Sequence, residues 1–89
     1  MGLEMISAEE IRSLIEAALP GATVQVRDFT GGGDHFEAVV VSAAFVDKGL
    51  VERHRLVYAP LQEAMAQRIH ALALKTYTPE EFKRIQGGE

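Results

Sequence analysis

The chain has 89 residues, no cysteine, and 9 lysines and arginines against 13 aspartates and glutamates, for a formal net charge of -4. That length allows one domain, residues 1–89, near the lower end of what buries a self-sufficient core. The missing thiol excludes a disulfide framework, thiol catalysis and any metal site for which this chain would supply sulfur, and the acid excess argues against broad phosphate binding.

Ser7 followed three residues later by Glu10 has the form of a capping box. Ile11, Leu14, Ile15 and Ala18 then recur at helical spacing, which predicts a first helix from about Ala8 to Leu19. Pro20 and Gly21 stop it. Next, "ATVQVRDF" alternates, with Ala22, Val24 and Val26 on one face and Thr23, Gln25 and Arg27 on the other, the pattern of a strand with one wet face.

"TGGGD" is a joint. A phosphate-cradling loop would need a helix directly after it, whereas "HFEAVVVSAAF" is β-branched and aromatic, so a hairpin into a second strand from about His35 to Ser42 is favoured. From Leu50 the period turns helical, with Leu50, Val57, Leu61 and Met65 on one stripe, and Pro60 is expected to kink or split this helix at about Leu56 to Ala59. "HALALKTY" alternates again as a third strand, with His70, Leu72, Leu74 and Thr76 on one face. Thr78, Pro79 and Glu81 then mark the start of a short last helix to about Ile85. The order is α-β-β-α-β-α, an α+β arrangement with a three-stranded sheet, helices on one face, and an ordered core of about residues 7–85.

No apolar run approaches the roughly 20 residues needed to span a bilayer. "MGLEMISAEE" carries no basic residue ahead of an apolar segment, so the expectation is a cytoplasmic protein without a membrane partner. Ser7, Ser13 and Ser42 lack a nucleophile motif, no His-Glu-x-x-His pattern occurs, and Glu80 and Glu81 are accounted for by a helix start, so no enzyme is expected.

"HFEAVVVSAAFVDKGLVERHRLVYAPLQEAM" and "IHALALKTYTPEEF" resemble the central and C-terminal segments of the BolA family, and the resemblance covers nearly the whole chain. That family's fold is similar to the class II KH domain, which implies that the third strand lies beside the first. The resemblance also implies a monothiol glutaredoxin partner and a 2Fe-2S cluster shared with its cysteine and glutathione, none being expected on the isolated, monomeric chain. The family's histidine ligand at the opening of the last strand matches His70, and the cysteine or histidine often found in the hairpin loop has His35 as its only candidate.

Each residue also has a plainer reading. His70 could be a structural histidine at a helix-to-strand junction, and His35 a solvent-facing loop histidine. His54 lies on the helical apolar stripe, where packing is favoured over ligand contact. Lys48, Arg53 and Arg55 form a local basic patch, read as solvated surface, as a partner site for glutaredoxin, or as a weak DNA contact, in that order. A KH domain clamps nucleic acid with a Gly-x-x-Gly loop, and "DKGL" offers only Gly49.

Overall fold

The computed structural model of the chain describes residues 6–29, 35–69 and 71–87. Helix α1 (Ala8–Ala18) starts where the Ser7 hydroxyl accepts the Glu10 N–H at 3.0 Å, with Glu9 and Glu10 at its positive end. It ends before Gly21, whose φ of 87° is open to glycine and costly to other residues. Strands β1 (Thr23–Asp28) and β2 (His35–Val41) pair antiparallel, with Val24 opposite Val40 and Val26 opposite Ala38.

A short 3-10 turn (Ala43–Phe45) buries Phe45 and leads to α2 (Leu50–Tyr58). The break caused by Pro60 falls slightly later than the sequence suggests, in a 3-10 turn at Ala59–Leu61, after which α3 (Gln62–Gln67) resumes. Proline fits the first turn of a helical segment, where its missing N–H has no intrahelical acceptor to serve. The preceding helix therefore runs on to Tyr58, and the Ala59 N–H still reaches the Arg55 carbonyl. Strand β3 (Ala71–Tyr77) and helix α4 (Pro79–Gln86) complete the order.

The expected place of the third strand needs correction. The sheet order is β1-β2-β3, so β3 lies beside β2, parallel to it, and not beside β1. The reason is visible in β2 itself, where Val39 and Val41 add apolar side chains on the face opposite Phe36, Ala38 and Val40. A strand apolar on both faces suits the centre of a sheet, whereas Thr23, Gln25 and Arg27 suit β1 to an edge. The parallel pairing uses the α2–α3 segment as its crossover.

One apolar cluster joins Ile11 and Ile15 of α1, Val24 of β1, Phe36, Ala38 and Val40 of β2, Val57 of α2, and Leu61 and Ala64. Helices α1 to α3 thus cover one face of the sheet. On the other face Glu37 lies 3.7 Å from Arg27 of β1 and 3.4 Å from Lys75 of β3, one carboxylate tying all three strands. The predicted stripe on the long helix holds at Val57 and Leu61, both fully buried, but fails at Leu50, which is 63% exposed. Seven residues return Leu50 to the same helix face as Val57, so its exposure means that the first turn of α2 extends past the packed layer. Among the described residues no helix is long and apolar enough to cross a membrane.

Candidate functional site

Parallel pairing brings the starts of β2 and β3 to the same end of the sheet. His35, the first residue of β2, is in register with Ala71, the first of β3. The His35 side chain is exposed, and its carbonyl accepts the Phe29 N–H at 2.9 Å, which closes the last rung of the hairpin. His35 thus belongs to the strand rather than to the loop. His70, the residue before Ala71 in sequence, lies outside the described residues, as does the loop at 30–34. An exposed imidazole at a strand start fits a metal centre that another protein brings to it. Among the described residues no group of three or more His, Asp or Glu side chains gathers as a self-contained metal site.

The three basic residues singled out in the sequence do not act together. Arg53 turns toward α4, where its Nη1 and Nη2 donate to Glu81 Oε1 and Oε2 at 2.8 and 3.2 Å. Its Nε donates to the Lys48 carbonyl at 2.9 Å, and its guanidinium lies 5.9 Å from the centre of the Phe45 ring. Its side chain is only 13% exposed. Lys48 and Arg55 remain exposed and line one shallow hollow with Glu52 and Leu56.

Glu81 carries two duties. Its Oε1 also accepts the Thr78 N–H at 2.9 Å, while the Thr78 hydroxyl accepts the Glu81 N–H at 3.1 Å, the reciprocal capping that Thr78, Pro79 and Glu81 predict. The Arg53 hydrogen bonds first, and the Thr78 N–H second, lower the Glu81 carboxyl to about 2. The hydroxyls of Ser7 and Ser42 likewise accept backbone N–H groups as caps.

His54 is half-buried, edge-on to Tyr58 with 6.2 Å between ring centres, and its enclosed Nε2 has no hydrogen-bond partner among the described residues. The Tyr58 hydroxyl reaches the Leu72 carbonyl at 3.5 Å, which joins α2 to β3. Outside this contact runs an open groove of about 670 Å³ along α2 and α3, lined among others by Val51, His54, Arg55, Tyr58, Gln62 and Met65. Sequence reasoning missed this groove. The signal was present at helical spacing in 51, 55, 58 and 62, which border the stripe through Val57 and Leu61; His54 and Met65, assigned to that stripe, also line the groove.

The model of the BolA family, described as "BolA-like protein", matches residues 15–81. Protein BOLA2 of Arabidopsis thaliana is 41% identical over 81 residues, 89% of this chain and 86% of that protein. The DNA-binding transcriptional regulator BolA of Escherichia coli K12 is 34% identical over 89 residues, 92% of this chain and 85% of that one. Among solved structures, a BolA protein homologue from Coxiella burnetii superposes with a TM-score of 0.77 at 42% identity, over 90% of this chain and 100% of that chain. The family's central and C-terminal segments therefore account for this sheet and these helices, and the chain belongs to the BolA-like family.

Proposed function

We propose that the protein is the accessory half of an iron-sulfur heterodimer, offering imidazole from His70, and from His35, to a 2Fe-2S cluster whose other ligands come from a monothiol glutaredoxin and glutathione. One observation carries the reading: the parallel register of His35 with Ala71, which gathers the two strand starts at one end of the sheet. His70 immediately precedes Ala71 in the sequence. The chain has no cysteine, so a partner's sulfur is needed to complete such a centre.

When bound, a 2Fe-2S cluster supplies a one-electron couple, and histidine ligation raises its potential. This chain's own part is to hold the His35 imidazole, exposed, on the first residue of a paired strand, where the ladder limits backbone movement. A monomer in a reducing, glutathione-containing compartment such as the cytoplasm is consistent with this role.

The test is anaerobic reconstitution of the chain with a monothiol glutaredoxin, glutathione, iron and sulfide, followed by visible absorption and circular dichroism. A mixed complex gives a spectrum distinct from that of the glutaredoxin homodimer, altered by His70→Ala. A spectrum indistinguishable from the homodimer's would reject the proposal.

A second reading rests on the Escherichia coli relative, which is named a DNA-binding transcriptional regulator. Exposed Lys48 and Arg55 favour it, but the tying of Arg53 to Glu81 weakens the basic patch. It requires DNA affinity that falls with salt at a slope near -0.9 per phosphate neutralised. Nanomolar, sequence-selective binding at physiological salt that is lost in Arg55→Ala would make it the better account.

A further inference from the structure

We propose that the outer groove of α2 and α3 is a docking site for an acidic amphipathic helix of a partner protein. This is a second surface, independent of the strand starts and of any iron-sulfur role.

The charge pattern is the first argument. Among the described residues Arg12, Arg27, Arg53, Arg68 and Arg84 each have a carboxylate within ion-pair distance. Arg55 has none among the described residues. It stands where the groove meets the neighbouring hollow, and the other cation of that hollow, Lys48, also has no acid partner among the described residues. The hollow's one acid, Glu52, accepts the Gly49 N–H at 3.4 Å as a helix cap and keeps its charge, so it offsets only one of the two cations. A net positive edge beside an apolar groove favours an occupant that brings carboxylates.

The apolar lining is the second argument. Val51 is 65% exposed and Leu50, beside it on the first turn of α2, is 63% exposed, while Met65 supplies an adaptable side chain at the other end. Backbone chemistry then selects a helix. The groove's walls are helical, with their amides and carbonyls spent within α2 and α3, so they offer an extended peptide no ladder to join. An occupant that satisfies its own backbone and presents side chains at i, i+3 or i+4, and i+7 meets this surface best. Nucleic acid fits less well, because Arg53 is withdrawn to Glu81 and the remaining cations are too few to follow a phosphate backbone.

The probe is a capped 14-residue helical peptide with leucines at i, i+3 and i+7 and glutamates on the flanks, compared with its lysine-for-glutamate counterpart and a single-stranded oligonucleotide. Each is titrated, without iron, into the full isotope-labelled chain, with backbone amide shifts and fluorescence anisotropy recorded. The expected result is shifts confined to residues 48–65, with the acidic peptide bound about tenfold more tightly than the basic one. Arg55→Glu should invert that preference, Met65→Glu should weaken both peptides, and His35→Ala should change neither. Circular dichroism checks that the variants fold, and Arg55→Gln serves as a milder replacement that should lose the preference without inverting it.

Any of four results would overturn the proposal: no shift at millimolar acidic peptide, equal affinity for the two peptides, perturbation centred on the starts of β2 and β3, or tighter binding of the oligonucleotide to the same amides. Shifts of residues 48–65 that appear on raising the protein concentration alone would instead identify a second copy of this chain as the occupant.

Discussion

Arg53 of α2 and Glu81 of α4 meet as a fork on a fork, with bonds of 2.8 and 3.2 Å, and the same carboxylate closes the first turn of α4 through the Thr78 N–H. Helix α4 has no buried residue of its own. Phe82 also touches Tyr77, at 5.7 Å between ring centres. With so little burial, the Arg53–Glu81 pair is a main tie of α4 to the body of the protein. Arg53→Ala should accelerate amide hydrogen exchange across residues 79–86 with little change in β2, measured by mass spectrometry or NMR.

The same pair gives a pH signature. The folded-state pKa of Glu81 is lowered to about 2, below the roughly 4.3 of a free glutamate. A depressed carboxyl stabilises the fold above its unfolded pKa, and the contribution is lost as pH falls from about 4.3 toward about 2. Acid unfolding of Arg53→Gln should lose less stability across this window than the parent does, read from urea midpoints at each pH.

Capping can be separated from the ion pair at Thr78. Thr78→Ala removes the hydroxyl that accepts the Glu81 N–H and should cost about 1 kcal/mol, whereas Thr78→Ser should recover most of it. Chemical denaturation checks both.

Leu50 and Leu61 occupy the same predicted stripe but differ in burial, at 63% and 0% exposed. Leu61→Ala should destabilise by roughly 2–5 kcal/mol through the cavity it leaves. Leu50→Ala should change stability by less than about 0.5 kcal/mol. Thermal and urea unfolding distinguish them, and equal effects would contradict the burial described for α2.

The three histidines should separate by assay. His35→Ala, at an exposed strand start, should alter stability by less than about 0.5 kcal/mol yet change the mixed-cluster spectrum if its imidazole is a ligand. His54→Ala should lower stability and leave that spectrum alone, because its ring packs beside Tyr58. His70→Ala should act on the spectrum above all.

Much of the fold was legible because local chemistry and tertiary packing agree. Ser7 with Glu10, Thr78 with Glu81, and the alternation of β1 and β3 each form the element that their own residues predict. The neighbour of β3 was not legible, since period-2 alternation fixes which side chains share a face but not which strand lies alongside. A closer weighing of Val39 and Val41 would have marked β2 as the central strand. The fate of Arg53 was hidden for a different reason: its partner Glu81 is 28 residues away and already explained by a helix cap. Nothing in a single sequence says that one carboxylate serves both. The start of β2 at His35 was legible from the β-branched run after the glycines, whereas a metal role for His35 comes only from the family resemblance, as a lone histidine has no spacing to read.

The parallel pairing of β2 with β3 also has a kinetic consequence. A hairpin such as β1-β2 can zip from its turn, but Ala71 meets His35 only after the whole segment between the strands has folded back across the sheet. The two strand starts therefore lie side by side only where that crossover is in place, and a protein that contacted both at once would be contacting a product of tertiary folding rather than of local sequence.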